Sequence, residues 1–217
     1  MSQKAVIFDL DGTLIDSLED LANSVNQTLR EFGFKTHEIN AYKYFIGDGV
    51  KILLKRAIAD TVNEQTIAKL HERFKVIYKK EIDTRTKVYD GIYELFNKLE
   101  KQDYQKAILS NKPHNFTLDC MDKFFKDYSF VNISGQKDTI AKKPDAQAAL
   151  LIADELKKDV KDIYFVGDTK IDMQTAKNAG MIAIGVLWGF RDEKELRENG
   201  ADFIVSNTDE LYNILIS

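Results

Sequence analysis

Five short apolar runs do most to limit what this chain can fold into: Ala5–Leu10, Lys106–Leu109, Ile163–Val166, Ile182–Val186 and Phe203–Val205. They are bounded by turn-forming or acidic residues and lack the polar alternation of a half-solvated strand, so they read as strands buried on both faces. Longer stretches with helical spacing separate most of them. Strands alternating with helices predict an α/β fold, a Rossmann-like parallel sheet covered by helices on both sides. In such a sheet the strands share one carboxyl-end edge, where residues far apart in sequence can meet.

The alternation breaks once. Between the first strand and about Val88 the periodicity is helical only. Leu18, Leu21, Ala22, Val25, Leu29 and Phe32 recur at three- and four-residue steps, as do Ile67, Leu70, Phe74, Ile77 and Tyr78. Ile52, Leu53, Ala57 and Ile58 suggest a helix between them. We therefore expect a core formed by residues 1–14 and 86–217 and an all-helical insertion over 15–85. Placed there, the insertion would sit over the carboxyl ends of the strands, where open α/β sheets bind ligands.

Charge and cysteine usage narrow the function classes. Lys plus Arg number 31 and Asp plus Glu 35, a net charge of −4 that speaks against a chain-wide attraction to nucleic acid or anionic lipid. Cys120 is the single cysteine, which excludes an intrachain disulfide and a zinc site needing two thiolates. No apolar run reaches the roughly 18 residues of a membrane span, and the N-terminus lacks a signal-peptide pattern. A cytoplasmic protein, monomeric or weakly dimeric, is expected.

Two of the strands end in acids. The first runs into Asp9-Leu-Asp-Gly-Thr13, whose carboxylates lie two residues apart on one face. At that spacing of about 6–7 Å they repel by about 3 kcal/mol at an effective dielectric near 20. Such a pair needs a cation, a shared proton or generous solvation. Asp-Gly alone is a common solvated turn. The strand ending at Val166 then supplies Gly167-Asp168-Thr-Lys-Ile-Asp172, a second acidic group able to converge on the same edge. An all-oxygen set of this kind suits Mg²⁺ better than zinc or copper. Ser110-Asn111-Lys112-Pro113 ends another strand before a helix start, whose free N–H groups favour an anion. Lys142-Lys143-Pro144 places a cation before a further helix start. His37, His71 and His114 show no ligand spacing, and Trp188 reads as packing beside a strand end.

Asp9-Leu-Asp-Gly-Thr-Leu-Ile-Asp-Ser17, Leu109–Pro113, Lys143-Pro144 and Val166–Asp172 together resemble the four motifs of haloacid dehalogenase-like phosphohydrolases, in order and across nearly the whole chain. The long helical segment after the first motif resembles the family's helical-cap subclass, and Phe45–Ala57 resembles the cap segment of its phosphoglycolate phosphatases. The resemblance implies Asp9 as nucleophile, Asp11 as acid and base, and Lys143 as the catalytic cation. It implies that Asp9, the Asp11 carbonyl and Asp168 hold Mg²⁺ with Asp172 in support, and that Gly12, Thr13, Ser110 and Asn111 bind the phosphoryl group. In the cap, Gly47, Gly49 and Lys51 are the implied specificity residues. The second acid, Asp11, favours phosphate chemistry over dehalogenation, and Thr13 favours hydrolysis over mutase chemistry. Tyr89-Asp90-Gly91 departs from the proline common in relatives. The implied substrate is a small phosphorylated metabolite of phosphoglycolate type, with pyrophosphate, nucleotides and sugar phosphates as alternatives. A signalling receiver phosphorylated on aspartate uses a similar set of groups, but it has no helical insertion after its first strand.

Overall fold

The structure is a computed structural model that describes residues 4–59 and 62–217. Its elements in chain order are β1 (Ala5–Phe8), β2 (Ile15–Asp16), α1 (Leu18–Glu31), α2 (Val50–Ala57), α3 (Glu64–Glu81), β3 (Lys87–Val88), α4 (Ile92–Glu100) and β4 (Gln105–Pro113). They continue with α5 (His114–Phe125), β5 (Asn132–Gln136), α6 (Gln147–Leu156), β6 (Ile163–Gly167), α7 (Lys170–Ala179), β7 (Ile182–Val186), α8 (Glu193–Glu198), β8 (Phe203–Val205) and α9 (Thr208–Leu215). Six strands form one sheet in the order β5-β4-β1-β6-β7-β8, and every pairing is parallel.

The continuous apolar composition of β1 follows from its central place. Val6 and Phe8 join a core with Phe96 of α4, Phe125 of α5 and Leu211 of α9. Ala5 and Ile7 face the other way, into a core with Ala149 and Ile152 of α6 and Met173 and Ala176 of α7. Each fully buried large side chain of this kind, Phe8 for example, stabilises the fold by about 1.5–3 kcal/mol. Register sets the site directly: Phe8 pairs with Ile108 of β4 and Val166 of β6, so Asp9, Leu109 and Gly167 come next, side by side across the three central strands.

Three strands lie outside the predicted set. β5 is largely polar, Asn-Ile-Ser-Gly-Gln, because it is an edge strand paired only with β4 and half-buried for most of its length. β2 and β3 have two residues each, too few to show any period, and pair antiparallel through Ile15 with Val88 and Asp16 with Lys87. This ribbon joins the two points where the helical segment leaves and rejoins the sheet. Buried Asp20 reinforces it, accepting hydrogen bonds from Arg85 N, Thr86 N and Thr86 Oγ1 at 2.7–3.1 Å. Between the two strands lie α1, α2, α3 and a short 3-10 helix over Ile39–Tyr44, with α1 and α2 packed against α3. The helix expected directly after Pro144 begins later, at Gln147, behind a turn in which Asp145 N donates to Lys142 O at 3.0 Å. Among the described residues no helix is long and apolar enough to cross a membrane.

Candidate active site

The sheet brings the acids together. One carboxylate oxygen from each of Asp9, Asp168 and Asp172 lies within 4.8 Å of the others, and all three residues are buried. Asp9 is fixed as β1 ends, its N–H donating to Val166 O at 2.9 Å. Asp168 follows β6 and its Oδ2 accepts from Phe190 N at 2.8 Å, while Thr13 Oγ1 stands 3.4 Å from Oδ1. Asp172 closes a capping box on α7: its Oδ2 accepts from Thr169 N at 3.0 Å and Thr169 Oγ1 at 2.7 Å. That leaves Asp172 Oδ1 to take the Lys143 ammonium at 2.7 Å.

Gly12 makes the approach possible. Its φ is +87°, and a Cβ there would fall 2.3 Å from Asp168 Oδ2, so no other residue fits without displacing the carboxylate. Trp188 Nε1 donates to Thr13 O at 2.9 Å and steadies the same turn, a structural link that its sequence context did not specify.

Among the described residues Lys143 is the one cation in ion-pair contact with the triad, and Arg191 acts on Asp168 from farther off. The Lys143 Nζ forms an ion pair with Asp9 Oδ1 at 2.8 Å, and no other described residue donates to that buried oxygen. Burial pushes the Asp9 carboxyl up to about 7; Lys143 opposes the rise, whereas Asp172 and Asp11 add to it. Asp168 is pushed well above the carboxylate range, by burial first and then by Asp172 and Asp9. Burial works against the Lys143 charge, yet Asp172 and Asp9 overcome it and raise the group above its ordinary value. Three buried carboxylates facing one ammonium leave negative charge in excess, which a hard divalent cation would neutralise.

The remaining predicted residues divide by partner. Ser110 is buried at the pocket and its Oγ accepts from Lys112 N at 3.3 Å. Asn111 acts mainly on its neighbours: it accepts from Lys143 N at 2.9 Å and donates to Lys143 O at 3.1 Å and Gly47 O at 3.0 Å. Asp11 is turned from the triad toward Ser17 Oγ at 2.5 Å and Lys112 Nζ at 2.9 Å. Gly47 and Gly49 line the pocket, the latter capping α2 at φ +84°, whereas Lys51 is exposed and outside the pocket lining. Leu21, Ile46, Val50 and Leu53 form an apolar roof above the polar floor.

Sequence reasoning missed four groups here. Lys112 is buried, pairs with Asp11 and donates to Tyr78 Oη of α3 at 2.6 Å. Burial opposes its charge, but Asp11 and Tyr78 hold it well above the ordinary lysine range. The available signal was position: Lys112 lies in the same Ser-Asn-Lys-Pro run that ends β4 at the pocket. Arg191 donates to Lys43 O and, at 3.0 Å, to Ile46 O, and Lys142 Nζ donates to Asp48 O at 2.6 Å. With Asn111 these side chains hold the 43–49 loop down on the strand ends.

The sequence matches the haloacid dehalogenase-like hydrolase family over residues 6–186. A phosphoglycolate phosphatase of Pseudomonas fluorescens is 30% identical, across 94% of this chain and 76% of the relative. That of Haemophilus influenzae strain KW20 is 28% identical across 98% of each chain. Among solved structures, a chain from Lactobacillus delbrueckii subsp. bulgaricus proposed to be a phosphoglycolate phosphatase superposes with a TM-score of 0.93 at 28% identity, covering all of both chains. A predicted phosphoglycolate phosphatase of Haemophilus somnus gives 0.90 at 26% identity over 99% of each. With four motifs at one sheet edge and a match this long, the chain belongs to the haloacid dehalogenase-like hydrolases.

Proposed function

We propose that this protein is a Mg²⁺-dependent phosphatase that hydrolyses a small phosphorylated metabolite of phosphoglycolate type through an aspartyl-phosphate on Asp9. The buried triad of Asp9, Asp168 and Asp172 with a single lysine carries the reading. The donor set fits Mg²⁺: it is all oxygen, and three buried carboxylates share one ion-paired lysine, which leaves it short of positive charge. Asp9, the Asp11 carbonyl and Asp168 would hold the ion, with Asp172 in support. Bound there, Mg²⁺ would supply Lewis-acid neutralisation of the phosphoryl oxygens.

Asp9 attacks phosphorus, so an Asp9 O–P bond forms as the P–O bond to the leaving group breaks. Asp11 gives a proton to the departing oxygen and then takes one from the water that cleaves the aspartyl-phosphate; help of this kind is typically worth about 10²–10⁴-fold in rate. Lys143 offsets the repulsion between the phosphoryl group and the Asp9 carboxylate. Ser110, with the Gly12-Thr13 turn, binds phosphoryl oxygens, and Asn111 keeps Lys143 in place. The helical segment 15–85 serves as a cap, with the 43–49 loop closing the site against water. Gly47 and Gly49 bring backbone close to the substrate; Lys51 is exposed and outside the pocket lining, which supports assigning specificity to the pocket wall instead. The phosphoglycolate phosphatase names of the relatives point to the substrate class. A receiver role is disfavoured by the helical segment after β1 and by the family match.

The test is turnover by purified protein across phosphoglycolate, pyrophosphate, nucleoside monophosphates and sugar phosphates. Phosphoglycolate should give the highest kcat/KM, and Asp9→Asn should abolish turnover while the circular dichroism spectrum is unchanged. Near-wild-type activity in Asp9→Asn, or full activity in chelator, refutes the assignment.

A further inference from the structure

One charged group at the site is left without a part in the phosphoryl chemistry. Lys112 Nζ is buried between Asp11 and the Tyr78 hydroxyl, and all three residues line the pocket above Asp9. Lys143 is the other cation among the described lining residues, and it faces Asp9 and Asp172. Tyr78 uses its oxygen to accept from Lys112, and no described residue accepts its own hydroxyl proton. An ammonium and a free phenolic O–H, beside the apolar roof of Leu21, Ile46, Val50 and Leu53, offer two donors suited to the paired oxygens of a carboxylate.

Position says which part of a substrate these donors meet. Asp11 protonates the leaving oxygen in the function proposed above, so the lysine in contact with it stands on the leaving-group side. We propose that Lys112 and Tyr78 form a specificity subsite for a carboxylate on the leaving group, close to the ester oxygen. This rests on the phosphatase reading and deepens it, selecting acid-bearing monoesters over neutral ones. Asp11 keeps the Ser17 hydroxyl when Lys112 turns to the substrate, so the exchange leaves neither group unpaired. A single lysine with one phenol matches one negative charge; a second phosphoryl group, with two, finds no further cation among the described lining residues.

The experiment compares kcat/KM for 2-phosphoglycolate and for ethylene glycol monophosphate, which carries a hydroxymethyl group in place of the carboxylate. Wild-type protein should favour 2-phosphoglycolate by about 100-fold, the size expected when a buried charge-assisted contact loses its partner. The ratio should collapse toward one in Lys112→Met and fall about tenfold in Tyr78→Phe, which removes only one oxygen. Lys112→Arg should recover part of the preference, an outcome that a purely structural lysine would not produce. Equal kcat/KM for the two esters in wild-type protein, or an unchanged ratio in both variants, overturns the subsite. Failure of the underlying reading looks different: neither ester nor p-nitrophenyl phosphate is turned over by wild-type protein, and the subsite then falls with it.

Discussion

The excess of buried acid makes the metal-free protein pay in stability for its site, and Asp9→Asn should measure how much. The Asp9 carboxyl rises from its usual 3.8 to about 7 in the fold. At about 1.4 kcal/mol for each tenfold change in proton affinity, the full effect is about 4 kcal/mol. The sign follows from proton counting. Between the unfolded and folded values the native state holds more protons than the unfolded chain, so stability falls as pH rises. The contribution is complete below about 3.8 and gone above about 7. In chelator, wild-type stability attributable to this group should drop by about 3 kcal/mol between about pH 4.5 and about pH 7.5. Asparagine keeps the volume and carries no charge, and Lys143 retains Asp172. Urea unfolding at the two pH values should therefore show Asp9→Asn more stable than wild type by about 3–4 kcal/mol at the higher value and by about 1 kcal/mol or less at the lower. Added Mg²⁺ should raise wild type and leave the variant nearly unmoved, a saturated site contributing about 2.7 kcal/mol at a hundredfold excess over its Kd. Equal pH slopes in the two proteins would refute the reasoning.

Three further substitutions probe the same architecture. Gly12→Ala forces a Cβ to within 2.3 Å of Asp168 Oδ2 at a φ of +87°, and should lower stability by about 2–3 kcal/mol by thermal unfolding and weaken Mg²⁺ binding by calorimetry. Lys143→Met leaves Asp9 and Asp172 facing each other without their cation; a loss of about 3–5 kcal/mol is expected at neutral pH, smaller in acid where carboxyls take up protons, as urea titration would show. Asp20→Ala orphans Arg85 N, Thr86 N and the Thr86 hydroxyl, so stability should fall by about 2–4 kcal/mol, with hydrogen exchange accelerated at residues 85–88.

The parts of the fold legible in sequence are those whose burial is symmetrical. β1, β6 and β7 are covered on both faces and advertise it as unbroken apolar runs. α1 and α3 each bury one stripe, so their periodicity is plain. β5 escapes because an edge strand with half its surface wet needs no apolar run. The β2–β3 ribbon escapes because two residues cannot display a period. What holds it is a long-range contact, Asp20 reaching the backbone of Arg85 and Thr86, and a buried aspartate inside a helical pattern resembles any surface acid when read along the chain.

The same distinction governs the site. Asp9 and Asp168 stand out because acids that end apolar strands are conspicuous, and a parallel sheet guarantees that such ends share an edge. Which strands are neighbours is a different matter: β4 and β6 flank β1 only because the chain crosses over twice, and local patterns carry no trace of that order. Asn111 and Lys112 show the limit sharply. They are adjacent, both buried, and both in the last part of β4, yet one steadies Lys143 while the other meets Asp11 and Tyr78. The irregular register between Leu109 and Pro113 opposite β5 accompanies this division, and the helical segment supplies the phenol that completes it. A lysine there reads as surface until α3 is folded over it. Once it is covered, desolvation and the carboxylate of Asp11 make it a fixed positive charge on one side of the pocket, and the choice of substrate has to answer to that charge.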